Sequence, residues 1–391
     1  MPDHNMDAPS QAKPLRLALI RQRYTDFGGA ERFVAAAAAA LGRQGVAVTV
    51  ITRNWPHGRG GARVELNPFH LTRRGRDVSF ARAVQRHLAQ VPYDLVQSHE
   101  RIPGVALYRA GDGVHARWLE LRSATLPRWR RWLLAWSPYH RHLLTAERRL
   151  LTHPALRAVI CNSCMVRDEI QRFFGTPPET LRVIHSGVDS VRFHPDNLLP
   201  LRDGVRRDWG IPHGVFVHLL LGSGYDRKGV ATALAALREC QGWLLVVGRE
   251  RRMGRWQRLA RKLGVAQRVI FAGAVRDVLP CYAAADALVL PTLYDPFPNV
   301  VLEAMACALP VMVSRTSGAV DLLRDGDNGV VVDPLDALAL GRHMAQWERD
   351  PAQAAQMGLR GRATVLPLTP EAMAGALQAL YAGLLGKSMT S

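Results

Sequence analysis

The chain has no apolar run approaching the ~18 residues that a bilayer-spanning helix requires. It is also short of acid: 33 Asp and Glu stand against 51 Lys and Arg, a formal net charge of +18. That imbalance disfavours basic partners and points to an anionic one: nucleic acid, acidic lipid or a phosphorylated substrate. Cysteine is scarce. The five present, Cys161, Cys164, Cys240, Cys281 and Cys307, are odd in number and scattered, which argues against a disulfide framework and fits a reducing cytosol. Cys161 and Cys164 are formally C-x-x-C, but no second ligand pair follows at zinc-site spacing, so they read as a strand end and a helix start. The opening residues 1–14 are polar and lack an apolar h-region, so no signal peptide is expected there, only a disordered lead-in. Metalloprotease, nucleophile-elbow, P-loop and kinase signatures are missing as well.

What is present is a globular composition, 48% hydrophobic and 21% charged over 391 residues, enough for two or three domains. Short β-rich runs alternate with helical patterns. Leu15–Gln22, Val46–Thr52, Asp94–His99, Val105–Arg109, Leu156–Ser163 and Leu181–Gly187 form one series. A second begins at Val215–Ser223 and continues through Trp243–Gly248, Val269–Gly273, Leu288–Pro291, Pro310–Ser314 and Gly329–Val332. Strands followed by helices imply parallel βαβ units. Two such series imply an α/β fold of two doubly wound, Rossmann-like domains. The Pro-, Asp- and Arg-rich stretch Asp189–Pro212, weakly periodic, reads as the linker. Ligands of open parallel sheets bind beyond the carboxyl ends of the strands, so the chemistry is expected in those loops.

Four loops stand out. Thr25-Asp26-Phe27-Gly28-Gly29-Ala30-Glu31 follows the first strand; paired glycines admit close backbone approach, and a helix N-terminus favours an anion. Gly222-Ser223-Gly224-Tyr225-Asp226-Arg227-Lys228-Gly229 places two cations after a strand, a plausible diphosphate clamp. Tyr294–Cys307 carries Asp295 before a helix and Glu303 one turn inside it, with Asn299 as a candidate cap; such a pair can hold two parts of one polyhydroxylated ligand. Asp112-Gly113-Val114-His115 follows a strand; Asp112, His115 or the strand-end His99 could meet a reacting group at the cleft. Asp325-Gly326-Asp327 is formally a metal-binding D-x-D, but its Gly- and Asn-rich setting reads as a turn.

Arg117–Leu150 differs in composition, with eight arginines, two glutamates and four of the nine tryptophans. Arginines beside indole rings suit an anionic membrane surface. Packing of a Trp stripe into the domain and nucleic-acid binding are the alternatives.

The Gly28-Gly29-Ala30-Glu31 turn, the Gly222–Gly229 loop and the run Asp295–Ser314 together resemble family 4 retaining glycosyltransferases of GT-B fold. The resemblance covers nearly all of the chain after Leu15. It is strongest to the lipopolysaccharide core glucosyltransferase I group, on Gly222–Val230, Ile102–Trp118 and the basic aromatic segment. It implies an acceptor-side domain over 15–195, a nucleotide-sugar domain over 196–368, and a helix in 369–391 crossing back to the first domain. By the same resemblance Arg227 and Lys228 bind the donor diphosphate, Glu303 holds the ribose, and Gly28, Gly29, Gly222, Asn299 and Val300 line the donor. Asp295 stands where the family has a Glu contacting the donor sugar, one methylene longer. Asp112 stands near the reaction centre. No metal and no cofactor are implied; the donor, UDP-glucose, is a substrate.

The expected activity is transfer of a hexose, glucose from UDP-glucose, onto a lipopolysaccharide inner-core sugar by a cytoplasmic enzyme peripheral on the inner membrane. The anionic membrane surface is met through Arg117–Leu150, with no nucleic-acid partner. The alternatives are transfer of GlcNAc, galactose or heptose in surface polysaccharide synthesis, a nucleotide-sugar epimerase or a phosphorylase on the same scaffold, and a non-catalytic nucleic-acid binder.

Overall fold

The computed structural model describes residues 15–23, 38–39, 41–43, 45–54 and 62–386. The lead-in 1–14 lies outside them. Among the described residues, thirteen strands make two sheets, parallel throughout. The first holds β1 (Arg16–Ile20), β2 (Ala47–Thr52), β3 (Ala62–Glu65), β4 (Leu95–Ser98), β5 (Leu107–Arg109), β6 (Ala158–Cys161) and β7 (Leu181–Val183), ordered β3-β2-β1-β4-β5-β6-β7. The second holds β8 (Val217–Leu221), β9 (Trp243–Val247), β10 (Val269–Gly273), β11 (Ala287–Leu290), β12 (Val311–Ser314) and β13 (Val330–Val332), ordered β10-β9-β8-β11-β12-β13. Strand order reverses at β1/β4 in one sheet and at β8/β11 in the other. These are the topological switch points of doubly wound folds, where a crevice opens at the strands' carboxyl ends.

Each sheet is buried on both faces, which is why its strands read as continuous apolar runs. In β1 the period-two alternation separates the faces. Leu17 and Leu19 join one core with Val48, Val50 and Ile160. Ala18 and Ile20 join the other with Phe80, Val84, Val166 and Ile170. The helix Pro370–Leu385 covers the first of these faces through Met373, Ala374, Leu377 and Tyr381, although it follows the second sheet in the chain. Its Tyr381 hydroxyl donates to Gln97 Oε1 at 2.7 Å. On the way back the chain passes beside the outgoing connection, where Val188 N donates to Leu368 O at 2.8 Å.

The stretch expected to be a weakly ordered linker contains the 14-residue helix Pro195–Asp208, with Pro200 inside it. Of its residues only Leu198 is buried, so its apolar periodicity is faint. Leu201 and Val205 pack beside Leu198 on the second sheet's core, and polar contacts add to them: Arg202 and Arg206 both pair with Asp286 at the foot of β11, Arg206 at 2.6 Å.

Leu377 is fully buried between the C-terminal helix and β1. Leu377→Ala should lower unfolding free energy by about 2–5 kcal/mol, read from the denaturant midpoint of whichever transition reports the first sheet.

Candidate active site

At the carboxyl end of β8 the chain turns through Gly222, runs one helical turn over Tyr225–Lys228, and enters the helix Val230–Ala236. Gly222 has φ +153°, and a Cβ there would lie 2.5 Å from Lys228 Cε. The missing side chain is what lets the lysine lie along the loop. Lys228 is 6% exposed, and its Nζ donates to Asp295 Oδ2 at 2.5 Å. Arg227 lies beside it, its Nη1 4.0 Å from the same oxygen, with 40% of its side chain in solvent. Burial alone would raise the Asp295 carboxyl, but Lys228 and Arg227 hold it below the usual carboxylate range. The pair is therefore ionised, with one cation shielded and the other open to the cleft.

Asp295 is fixed by backbone as well. Its N–H donates to Thr316 O at 3.1 Å, and its carbonyl accepts from Gly318 N at 2.8 Å, so it is stitched to the loop after β12. The helix Asn299–Ala306 follows. Pro298, rather than Asn299, holds the capping position, and Asn299 is the first helical residue. A full turn on, buried Glu303 accepts from the Tyr282 hydroxyl at 2.7 Å.

Across the cleft, after β5, Asp112 accepts from Arg21 Nη1 at 3.3 Å. Burial opposes its ionisation, but Arg21 and Arg101 overcome it and hold Asp112 below the usual range; Arg227 of the opposite sheet adds to them. Asp112 and Arg227 thus share one electrostatic neighbourhood. His99 lies within the field of Asp112 and Arg21, while His115 faces His140 and Arg101. His99 is buried against Gln97, 3.0 Å away, and burial together with Arg109 and Arg21 keeps it neutral. His115 pairs with His140 at 3.0 Å, and burial and Arg101 push it down to about 3. The Gly28–Gly29 turn lies outside the described residues.

Residues that the sequence did not single out close the seam between the sheets. The Tyr294 hydroxyl donates to Glu169 Oε2 at 2.7 Å and accepts from Val114 N at 2.8 Å. It therefore ties the residue before Asp295 to the loop carrying Asp112. Gly113, at φ +69°, leaves room for it: a Cβ there would fall 2.4 Å from the hydroxyl oxygen. Ser163 Oγ donates to Pro296 O at 2.8 Å. The Cys164 amide, at the start of the helix Cys164–Phe174, donates to Asp321 Oδ2 at 2.6 Å, and His185 Nε2 lies 3.0 Å from the same oxygen. Cys161 and Cys164 are a strand end and a helix start, and burial raises both thiols, Cys161 to about 12. Asp325 and Asp327 sit in a turn: Asp325 accepts from Val331 N at 2.9 Å, and Asp327 pairs with Arg324 and Arg360.

With this geometry in place, the chain can be set beside known proteins. Residues 202–364 match the family model Glycosyl transferases group 1, and residues 27–192 match Glycosyltransferase Family 4. The lipopolysaccharide glucosyltransferase WaaG of Escherichia coli (strain K12) is 27% identical over 324 residues, 81% of this chain and 84% of that protein. The lipopolysaccharide core biosynthesis glycosyltransferase LpsE of Rhizobium meliloti (strain 1021) is 36% identical over 153 residues, 38% of this chain and 44% of its own. Among solved structures, WaaG superposes with a TM-score of 0.81 at 23% identity, covering 94% of this chain and 100% of that one. Anabaena HepE in complex with UDP-glucose gives 0.74 at 18% identity, with 94% and 100% coverage.

The seam generates a pH dependence. Burial lifts the Glu169 carboxyl to about 7, despite the Tyr294 hydroxyl and Arg117. The folded chain then holds this proton more tightly than the unfolded one. Its stabilising contribution is complete below the ordinary carboxyl range, near 4.5, and is lost as pH rises through about 7. Thermal unfolding followed from acid to neutral pH should show Glu169→Gln, which is always neutral, with a shallower loss of Tm than the parent.

Proposed function

Because the chain belongs to the family 4 glycosyltransferases of GT-B fold, we propose that it transfers a hexose, glucose from UDP-glucose, onto a lipopolysaccharide inner-core sugar with retention of configuration. The observation that carries this reading is the meeting of shielded Lys228, open Arg227 and Asp295 at the end of β8, opposite Asp112. The relatives that act in lipopolysaccharide synthesis and the neighbour holding UDP-glucose support the acceptor and donor classes.

In this reading the donor diphosphate lies against Arg227 and Lys228. As the bond from the sugar to UDP breaks, negative charge grows on the leaving phosphate, and two fixed cations in a shielded site stabilise it without solvent reorganisation. The positive charge comes from the side chains, so no bound metal is required. Asp295 accepts hydrogen bonds from the transferred sugar, and Glu303 from the ribose. Gly222, Asn299 and Val300 line the donor. The acceptor hydroxyl enters from the Asp112 side and gives its proton to the departing phosphate oxygen on the same face. The shorter Asp295 keeps a second reading open, transfer of GlcNAc, galactose or heptose; isomerisation of a nucleotide sugar without acceptor would instead mark an epimerase.

The enzyme would work at the cytoplasmic face of an anionic membrane. In the helix Arg128–Ala135 no residue is buried, and Trp129 and Trp132 are each 60% exposed. Packing into the domain therefore does not account for these two rings. Among the described residues no helix is long and apolar enough to cross a membrane. Indole rings beside Arg128, Arg130 and Arg131 suit the headgroup layer.

Lys228→Ala should depress turnover by roughly 10²–10³-fold with the fold intact, the loss expected when one stabiliser of a developing charge is removed. Near-normal transfer would overturn the clamp. In a thermal-unfolding panel of UDP-, ADP- and GDP-sugars, UDP-glucose should protect the parent, and Glu303→Ala should abolish the protection.

A further inference from the structure

Between β3 and the helix Arg73–Gln90 the chain projects Phe69 and Leu71, 82% and 86% exposed. Their exposure is not that of a loose loop. Arg53, buried after β2, grips both stems of the projection: Nη1 donates to Asn67 Oδ1 at 3.0 Å and Pro68 O at 2.8 Å. Nη2 donates to Arg76 O at 2.8 Å and Ser79 Oγ at 2.7 Å. The same guanidinium lies 5.6 Å from the centroid of the buried Phe80 ring. A buried cation is thus committed to holding two apolar side chains in water, an arrangement that makes sense when those side chains have somewhere else to go.

The surroundings say where. Residues 66–76 carry Arg73, Arg74 and Arg76 and no acid, with Arg73 and Arg74 exposed. The helix they begin packs on the helix Pro138–Leu151. Arg73 lies within electrostatic range of Tyr139, and Arg74 within range of His142, both in the first turns of that second helix. Trp136 precedes its start by two residues and is itself exposed. Phe69 and Leu71 therefore lead into a helix whose first arginines reach the start of Pro138–Leu151, the helix that the exposed Trp129, Trp132 and Leu133 precede in the chain. Apolar tips ringed by arginine match a bilayer whose headgroups are anionic and whose acyl layer lies just beneath.

We propose that the Phe69–Leu71 projection is a second insertion point into an anionic bilayer, acting together with the helix Arg128–Ala135. This rests on the membrane reading given above. Two contacts on one rigid body fix its orientation, where a single helix would leave it free to roll.

The full chain is tested by co-flotation with phosphatidylglycerol-containing vesicles and with pure phosphatidylcholine vesicles. Phe69→Ser with Leu71→Ser should weaken partitioning onto the anionic vesicles about ten-fold, as expected when two apolar side chains leave the acyl boundary. Its Tm and its protection by UDP-glucose should match the parent, since both side chains stand in solvent and neither belongs to the donor loops. Arg130→Glu with Arg131→Glu should weaken binding independently. If only the arginine variant loses binding, the projection is overturned and the helix contact stands. If neither does, the membrane reading falls and takes the projection with it. If the serine variant instead dissolves a dimer of the parent, seen by light scattering, with vesicle binding unchanged, the projection serves a second copy of the chain and the proposal is overturned.

Discussion

The ion pair between Lys228 and Asp295 is the constraint around which the second sheet's loops are arranged. Burying two charges is expensive, and a hydrophobic pair of similar volume would often serve stability as well. The pair persists here inside loops that exist to hold it. Gly222 gives up its side chain to let the lysine pass. The Arg227 carbonyl accepts from Leu293 N and Thr292 Oγ1, each at 2.8 Å, locking the cation loop to the segment that delivers Asp295. The chain carries only four lysines among its 51 cationic residues. Lys228 stands where a compact ammonium fits beside one carboxylate oxygen, a place that a forked, planar guanidinium would fill poorly.

The seam between the sheets uses a different economy. Two of its polar groups each reach two partners, the Tyr294 hydroxyl and the Asp321 carboxylate, and the Pro296 carbonyl accepts from Ser163. Polar contacts of this kind can part and re-form at lower cost than a buried apolar interface. Tyr294 is central because it joins the segment that leads into Asp295 to Val114 across the seam.

Much of this was legible from residues alone, and the reason is local. Strands such as Val217–Leu221 are buried on both faces, so their apolarity shows without any partner being known. Arg227, Lys228, Asp295 and Glu303 each sit just after a strand or at a helix start, where spacing and chemistry coincide. The helix Pro195–Asp208 was hidden because an interior proline interrupts the pattern and its stripe, Leu198, Leu201 and Val205, is short; arginines meeting an aspartate some eighty positions away complete its anchoring. Glu169 was hidden for the same reason: it looks like one more charge on a helix until Tyr294, 125 positions on, is folded against it. His115 and His99 stand at the expected loop ends, and what the sequence did not show is that burial holds both imidazoles neutral, His99 beside Gln97 and His115 beside His140.

The return of the C-terminal helix to the first sheet has a mechanical meaning. The chain crosses between the two sheets twice, and the crossings run side by side, bonded from Val188 to Leu368. One tether would let two bodies twist and tumble about each other. Two adjacent tethers act as the pin of a door: they suppress twisting and sliding and leave swinging as the easy motion. Arg227 and Asp112, carried on the two bodies so joined, would then part and meet along a repeatable arc.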